Sequence, residues 1–233
     1  MNRIYNEDCL QGMKRIADKS VDFILTDPHY ELDNHGGGKT EFAQRKLVKD
    51  LHIDFISKSF DMENVFKEIE RISDKLNLVM FCSNKQVSKI MKYWEDRKYS
   101  VTLLVWEKPN PVPFGNGKYI SSIEFMVYVR GKNATYNNIG YKDQLKTFNY
   151  PSPSAKKRLH PTEKPMELLE RLLKIHSSEN DTVLDMFMGS GTTAIACLNT
   201  KRNYIGFENN EEYYNLILKR IKKHKESVTE NLF

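Results

Sequence analysis

TVLDMFMGSGTTAIACLN, residues 182–199, joins a short apolar run, two glycines and an apolar helical pattern. The apolar run ends in Asp185, and the glycines are Gly189 and Gly191. A strand, a glycine turn and a helix in this order hold nucleotide-like ligands at the carboxyl edge of a parallel sheet. The stretch therefore predicts an α/β fold with a ligand site at that edge.

The rest of the chain alternates short strand-like runs with helical patterns, and 233 residues suit a single domain. This alternation predicts a Rossmann-like α/β fold, with a mixed, mainly parallel sheet flanked by helices. The predicted strands are Arg3–Asn6, Val21–Thr26, Leu76–Cys82, Val101–Trp106, Ile123–Val129, Thr182–Asp185 and Tyr204–Phe207. The predicted helices are Leu10–Ala17, Met62–Ser73, Lys85–Asp96, Pro165–Ser177, Thr192–Thr200 and Glu211–Lys225.

Two stretches interrupt this alternation. Residues 31–60 contain a triple glycine, which packs poorly and predicts a mobile loop insert. Residues 131–160 hold a net charge of +5, equal to that of the whole chain, interleaved with aromatic residues. Such a segment suits nucleic acid, although a solvated basic loop has the same composition. Its basic residues are Lys132, Lys142, Lys146, Lys156, Lys157 and Arg158.

The glycine stretch favours one class of ligand. No lysine follows Gly191, so a triphosphate would lack its usual counter-charge. Asp185 would repel phosphate but suits an ammonium group. Glu208 ends the next predicted strand, where an acid accepts hydrogen bonds from ribose hydroxyls. S-adenosyl-L-methionine, a nucleoside with an amine and no phosphate, fits these features, whereas a glycine loop taken alone often marks only a tight turn.

A second motif, Asp27-Pro28-His29-Tyr30, follows an apolar strand. An exocyclic amine of a base is a poor nucleophile because its lone pair is delocalised into the ring. Two acceptors, the Asp27 carboxylate and the Pro28 carbonyl, can pull such a nitrogen toward a tetrahedral shape. Tyr30 offers a face on which an extruded base can stack. The alternative is an ordinary strand-to-loop turn, since Asp-Pro is a common turn pair.

Together these motifs resemble those of the DNA amino-methyltransferases, in which D/N/S-P-P-Y/F/W carries catalysis. That motif stands here as DPHY, and the cofactor motif stands as DMFMGSGTT. The catalytic motif comes first, which is the permuted order of the family's β class. RIYNEDCL, HPTEKP and YIGFENNEEYY also resemble segments of that class. His29 replaces the second proline of the motif, so the loop loses one rigid φ and keeps the Pro28 carbonyl.

The resemblance implies a methyltransferase fold, S-adenosyl-L-methionine as cofactor and double-stranded DNA as partner. It implies methyl transfer to adenine N6, because relatives that modify cytosine N4 usually begin the motif with Ser; cytosine N4, RNA and a non-catalytic DNA-binding relative stay open. Residues 131–160 would be a small target-recognition insert. The implied cofactor-binding residues are Asp8, Cys9, Thr162, Lys164, Asp185, Phe187, Gly189, Ser190, Gly191, Thr192, Glu208 and Asn209.

Other classes of protein do not fit the sequence. No apolar run approaches the roughly 20 residues that span a bilayer, and MNRIYNEDCL lacks the layout of a secretory signal. Cys9, Cys82 and Cys197 have no metal-ligand spacing, so neither a metal nor a disulfide is expected. We expect a cytoplasmic protein of a bacterial, archaeal or phage-infected cell, and a homodimer stays open.

Overall fold

The computed structural model describes residues 2–28, 61–113, 119–154, 158–160 and 162–230, which form an eight-stranded sheet with helices on both faces. The strands are β1 (Arg3–Tyr5), β2 (Phe23–Thr26), β3 (Asn77–Cys82), β4 (Ser100–Glu107), β5 (Ile123–Arg130), β6 (Thr147–Asn149), β7 (Thr182–Asp185) and β8 (Asn203–Phe207). The helices are α1 (Cys9–Met13), α2 (Met62–Ile72), α3 (Asn84–Asp96), α4 (Met166–His176), α5 (Thr192–Asn199) and α6 (Glu211–Glu230), and a 3-10 turn spans Tyr141–Gln144. No helix in these ranges is both long and apolar enough to cross a membrane.

The sheet is mixed and mainly parallel, as the alternation of elements predicts. Its strand order is β1-β8-β7-β2-β3-β5-β4-β6. β5 runs antiparallel to both of its neighbours, and the other neighbouring pairs are parallel. The carboxyl ends of β2, β7 and β8 therefore meet at one edge, together with the amino end of β5.

The topology opens a crevice between β2 and β7. These two strands are paired through Ile24 and Leu184, but the chain leaves β2 toward β3 and leaves β7 toward β8, on opposite sides. Ligands of open α/β sheets bind outside the carboxyl ends of the strands at such a switch point. The residues that follow β2 and β7 are Asp27 and Met186, so both motifs open into this crevice.

Apolar side chains cover both faces of the sheet. Along β2, Phe23 and Leu25 join the cluster under α4, α5 and α6, whereas Ile24 joins the cluster under α1, α2 and α3. Successive side chains of a strand point to opposite faces, so a continuous apolar run is needed when both faces are buried. This requirement explains why the apolar residues 23–25 of β2 follow one another without a polar residue between them.

Several element boundaries differ from the prediction. Helix α1 ends at Met13 rather than Ala17, because two turn hydrogen bonds follow it and Lys19 adopts a left-handed conformation with φ +53°. Strand β6 was not predicted, since only Phe148 of its three residues is buried and so short a strand shows no alternation. Thr182–Asp185 has its predicted bounds. The predicted loop at 31–60 lies outside the described residues.

Candidate active site at the carboxyl edge of the sheet

The two motifs meet where β2 and β7 end. The Thr26 hydroxyl donates a hydrogen bond to Oδ1 of Asp185 over 3.1 Å and accepts one from the Met186 amide over 3.2 Å. Thr26 immediately precedes Asp27, and Asp185 opens the glycine loop. The two strands that carry the motifs are therefore in direct contact. The predicted catalytic residue Asp27 lies one residue after this contact, and the predicted cofactor loop begins at it.

Asp27 lies in a group of alternating charges. Nζ of Lys164 is 2.5 Å from Oδ2 of Asp27 and 3.2 Å from Oε2 of Glu124. The other oxygen of Glu124 is 2.7 Å from Nζ of Lys108. We call these four side chains the edge charge cluster. It carries two cations and two anions, so its formal charge is balanced.

Exposure differs sharply within the edge charge cluster. The Lys164 side chain is only 6% exposed, and its ammonium lies 4.9 Å from the centre of the Phe81 ring. The Asp27 side chain is 22% exposed, although its Oδ1 is buried. Pro28, which follows it, is buried, and Tyr30 lies outside the described residues.

The cluster keeps Lys164 and Glu124 charged. Burial acts to lower the pKa of Lys164, but Asp27 and Glu124 outweigh it and raise that pKa above its ordinary value. Burial acts to raise the pKa of Glu124, and Lys164 with Lys108 lowers it below its ordinary value. Both groups are therefore ionised at neutral pH, as buried ions are when they are paired.

The glycine loop has the backbone shape that its sequence predicts. Gly189 and Gly191 have φ of +51° and +77°, which L side chains rarely adopt. Gly191 also starts helix α5, and a Cβ at this position would come within 2.7 Å of Cγ2 of Ile217. Glycine is thus required at Gly191 both by its conformation and by the close approach of helix α6.

Asp185 holds the loop to its surroundings. Its Oδ1 accepts hydrogen bonds from the Thr26 hydroxyl and from the Phe187 amide at 3.1 Å each, and its Oδ2 accepts one from Thr193 at 2.6 Å. Burial raises the pKa of Asp185 to about 6, although these hydrogen bonds act in the opposite direction. The carboxylate is therefore ionised at neutral pH.

Glu208 faces the same loop from the end of β8. One carboxylate oxygen accepts the Gly189 amide at 2.8 Å and the other accepts the Asn210 amide at 2.9 Å. These two hydrogen bonds hold the carboxylate against the glycine loop. Asn6 donates its side-chain amide to the Glu208 carbonyl at 2.8 Å, which ties the end of β1 to this loop.

The remaining predicted cofactor residues surround this loop in different settings. Asp8 caps helix α1 by accepting the amides of Leu10 and Gln11, and Cys9 beside it is buried, which raises the pKa of its thiol to about 12. Ser190 and Thr192 are buried and their hydroxyls lie 3.1 Å apart. Phe187 is half-buried, Asn209 is exposed, and Thr162 contacts the His160 ring at 3.1 Å.

The predicted DNA-binding residues do not form one patch. Arg158 lies in the loop between β6 and α4 at the carboxyl edge, and Lys146 directly precedes β6. Lys142 lies beside α4, where its carbonyl accepts a hydrogen bond from Arg171 at 2.6 Å. Lys132 lies at the opposite edge, in the turn whose Gly131 amide bonds to the Leu76 carbonyl. Lys156 and Lys157 lie outside the described residues.

Sequence reasoning missed Glu124 and Lys108. Glu124 begins β5 and Lys108 follows β4, and the antiparallel pairing of these strands places Trp106 opposite Glu124. The only sequence signal was a charged residue at each strand end, which is common on protein surfaces. Among the ranges described above, no group of three or more His, Cys, Asp or Glu residues is placed to hold a metal ion.

Comparisons with known proteins agree with this geometry. The N6/N4 family model described as DNA methylase matches residues 21–219. Type II methyltransferase M2.MboI of Moraxella bovis is 27% identical over 241 residues, which cover 93% of this chain and 86% of that one. The crystal structure of the M1.HpyAVI–SAM complex has a TM-score of 0.72 and 30% identity, and covers 95% of this chain and 99% of that one.

A third likeness concerns the fold alone. The cytosine-N4-specific PvuII DNA methyltransferase has a TM-score of 0.69 at 15% identity, and covers 91% of this chain and 83% of that one. The predicted methyltransferase fold and the predicted family are both confirmed. The family model spans most of the chain and includes both motifs, so the chain belongs to the N6/N4 DNA methylase family.

Proposed function

We propose that this protein transfers the methyl group of S-adenosyl-L-methionine to an exocyclic amino group in double-stranded DNA, at N6 of adenine. The observation that carries the proposal is the contact between strand ends, in which Thr26 bonds to both Asp185 and Met186. It brings a carboxylate for the target amine beside a loop for the cofactor. Family membership supports methyl transfer to DNA, and the choice of adenine rests on Asp27 as the first residue of the motif.

The residues of the glycine loop suit the cofactor. Gly189 presents backbone without a side chain, so a ligand can approach closely there, whereas the missing side chain of Gly191 makes room for Ile217 of α6. Glu208, an acid directly after strand β8, would accept hydrogen bonds from the ribose hydroxyls, and Asp185 would face the ammonium group. Cofactor contacts of Asp8, Cys9, Thr162, Phe187, Ser190, Thr192 and Asn209 belong to the same proposal, whereas the Lys164 ammonium is paired with Asp27. When bound, the cofactor supplies an electrophilic methyl group.

Asp27 acts on the amine rather than on the methyl group. Its carboxylate accepts one hydrogen of the amine and the Pro28 carbonyl accepts the other, which localises the lone pair on nitrogen. The nitrogen forms a bond to the methyl carbon, and the carbon–sulfur bond breaks with its electron pair left on sulfur. The extra proton on nitrogen then leaves to Asp27 or to water. Tyr30 would stack on the extruded base.

The decisive experiment is transfer of radiolabelled methyl groups to unmethylated DNA, followed by digestion to nucleosides. We expect label in N6-methyldeoxyadenosine. Asp27→Ala should reduce the rate by at least about a thousandfold, since it removes an acceptor used in the transition state. Its affinity for the cofactor should stay within about threefold of wild type, because the glycine loop is unchanged.

Asp96→Ala is the matched control, because Asp96 is an exposed acid whose side chain is 58% accessible and pairs only with Lys92 among the ion pairs of the described residues. This variant should keep wild-type activity. Label in N4-methyldeoxycytidine would refute the adenine assignment. If the wild-type protein binds the cofactor but transfers no methyl group, the proposed activity is refuted. Normal transfer by Asp27→Ala would refute the catalytic role of Asp27.

A further inference from the structure

Lys164 is buried against Asp27, although the family resemblance would place it beside the cofactor. The Nζ–Oδ2 distance to Asp27 is 2.5 Å, and the Lys164 carbon chain is covered so that only 6% of the side chain is exposed. A buried ammonium is stable only where anions surround it. Its anions here are the catalytic carboxylate and Glu124, a residue that neither the motifs nor the resemblance assigns a role.

We propose that Glu124 and Lys164 are positioning residues for methyl transfer: Glu124 holds the Lys164 ammonium against Oδ2 of Asp27, and Lys164 thereby fixes and keeps ionised the carboxylate that meets the target amine. This inference rests on the proposed function of Asp27. It assigns a role in the reaction to two further residues. Glu124 lies on β5, a strand that carries neither motif.

The backbone on both sides of the cluster is anchored. Glu124 begins β5 and pairs with Trp106 of β4, so it is part of the sheet. Glu163, next to Lys164, accepts hydrogen bonds from Thr192 at 3.1 Å and from Arg220 at 2.9 Å. Lys164 therefore follows a residue that is bonded to helix α5. This helix comes directly after the glycine loop. The position of the ammonium is set from the sheet and from the cofactor loop together.

Lys164 contributes both orientation and charge. A lysine bonded to one oxygen limits rotation of the Asp27 carboxylate, and a displacement of about 1 Å in a catalytic group can cost about a hundredfold in rate. A cation at this distance also lowers the pKa of a carboxyl group. Among the described residues, Asp185 and the Cys82 thiol also face Asp27, whose negative charge acts to raise the pKa of both.

Glu124 balances that charge. Without it, the full charge of Lys164 would act on Asp27 and the carboxylate would be a weaker acceptor for the amine. Lys108 on the outer side, 2.7 Å from Glu124, keeps Glu124 ionised. The two substitutions Lys164→Gln and Glu124→Gln should therefore shift the titration of Asp27 in opposite directions, which a purely structural role would not produce.

The test measures kcat against pH for Lys164→Gln and Glu124→Gln. Both should lower kcat by about ten- to a hundredfold at neutral pH. In Lys164→Gln the acidic limb of the profile should move to higher pH, because Asp27 loses its neighbouring cation and protonates more readily. In Glu124→Gln the limb should move to lower pH, because an anion near Asp27 is removed. Glu124→Asp should recover part of kcat.

Cofactor affinity separates this role from direct cofactor binding. We expect calorimetric Kd values for S-adenosyl-L-methionine within about threefold of wild type in both variants. A Lys164→Gln protein with a Kd raised more than about tenfold and a wild-type kcat at saturation would overturn the inference. Loss of kcat in both variants with the acidic limb unmoved would overturn it as well, since it would indicate structural damage.

Two further measurements keep the conclusion independent of folding and of the proposed function. A double-mutant cycle of Asp27→Asn and Lys164→Gln on thermal unfolding should show non-additive effects, and additive effects would overturn the inference. Lys92→Gln is the charge control, since Lys92 is exposed and pairs with Asp96. A wild-type protein without transfer would sink the proposed function, whereas active wild type with unchanged Glu124→Gln would sink this inference alone.

Discussion

Asp185, at the start of the glycine loop, is the carboxyl group whose titration we expect to affect cofactor binding. Burial raises its pKa to about 6, above the ordinary value of 3.8. For the free protein, stability contributed by this group falls as pH rises from about 4 to about 6, because the folded state then holds the proton more tightly than the unfolded state. A bound ammonium group favours the ionised form of Asp185 and would therefore lower the pKa of this carboxyl group.

Cofactor affinity should therefore depend on pH. If Asp185 faces the cofactor ammonium, affinity is full above pH of about 6 and falls by up to about tenfold per unit below it. Calorimetric Kd values at pH 5 and pH 7 measure the effect, since the amine is protonated at both. Asp185→Asn should bind more weakly at pH 7 and lose the pH dependence. A wild-type Kd that is equal at both pH values would contradict the contact.

At the scale of one residue, sequence reasoning worked where chemistry and chain position coincide. Asp185 ends β7, and Asp27 and Glu208 directly follow β2 and β8, so their proximity at one edge of the sheet could be expected. Glu124 could not be found in this way, because its partners Lys108 and Lys164 come from other elements. The pairing depends on β5 running antiparallel, which the apolar pattern of IEFMVYVR does not reveal.

Among the elements, helix α5 depends most closely on one residue. It begins at Gly191, whose φ of +77° costs an L residue about 1–2 kcal/mol. A Cβ there would also lie 2.7 Å from Cγ2 of Ile217 on α6. The glycine loop therefore fixes the packing of α5 against α6 as well as the path of the cofactor loop.

Gly191→Ala should lower the free energy of unfolding by about 2 kcal/mol and the Tm by about 4–8 °C. Cofactor affinity should fall with it, because the loop cannot keep its shape. Thermal unfolding of Gly191→Ala in wild-type and Ile217→Ala backgrounds separates the two causes, since Ile217→Ala removes the clash but not the φ. An equal cost in both backgrounds would show that the contact with Ile217 contributes nothing.

Sequence patterns predicted best the long helix α3 and the short, continuously apolar strand β7. Helix α3 and strand β7 begin and end at or next to their predicted residues. Strand β6 was missed, because its pairing with β4 depends on an edge that the sheet offers rather than on its own three residues. Local pattern does not report a strand that forms mainly because a neighbour has unpaired backbone groups.

On the scale of the whole molecule, the two edges of the sheet differ in what they can contact. The edge charge cluster, the glycine loop and Arg158 lie at the carboxyl edge, whereas Lys132 lies at the opposite one. A duplex held so that one base reaches Asp27 would pass over the first edge only. We therefore propose that DNA contacts the carboxyl edge, where Arg158 lies, rather than the whole of residues 131–160.

Replacing Lys156, Lys157 and Arg158 by Gln should weaken DNA binding and reduce its dependence on salt. Each lost phosphate contact lowers the slope of log K against log salt by about 0.9, so the slope should fall by up to about 2.7. Fluorescence anisotropy with a labelled duplex over a range of salt concentrations measures both quantities. Lys132→Gln removes a charge from the same segment at the opposite edge, and its slope should match wild type. If both variants lose salt dependence to the same extent, DNA binding depends on the total charge of residues 131–160 rather than on contact with the carboxyl edge.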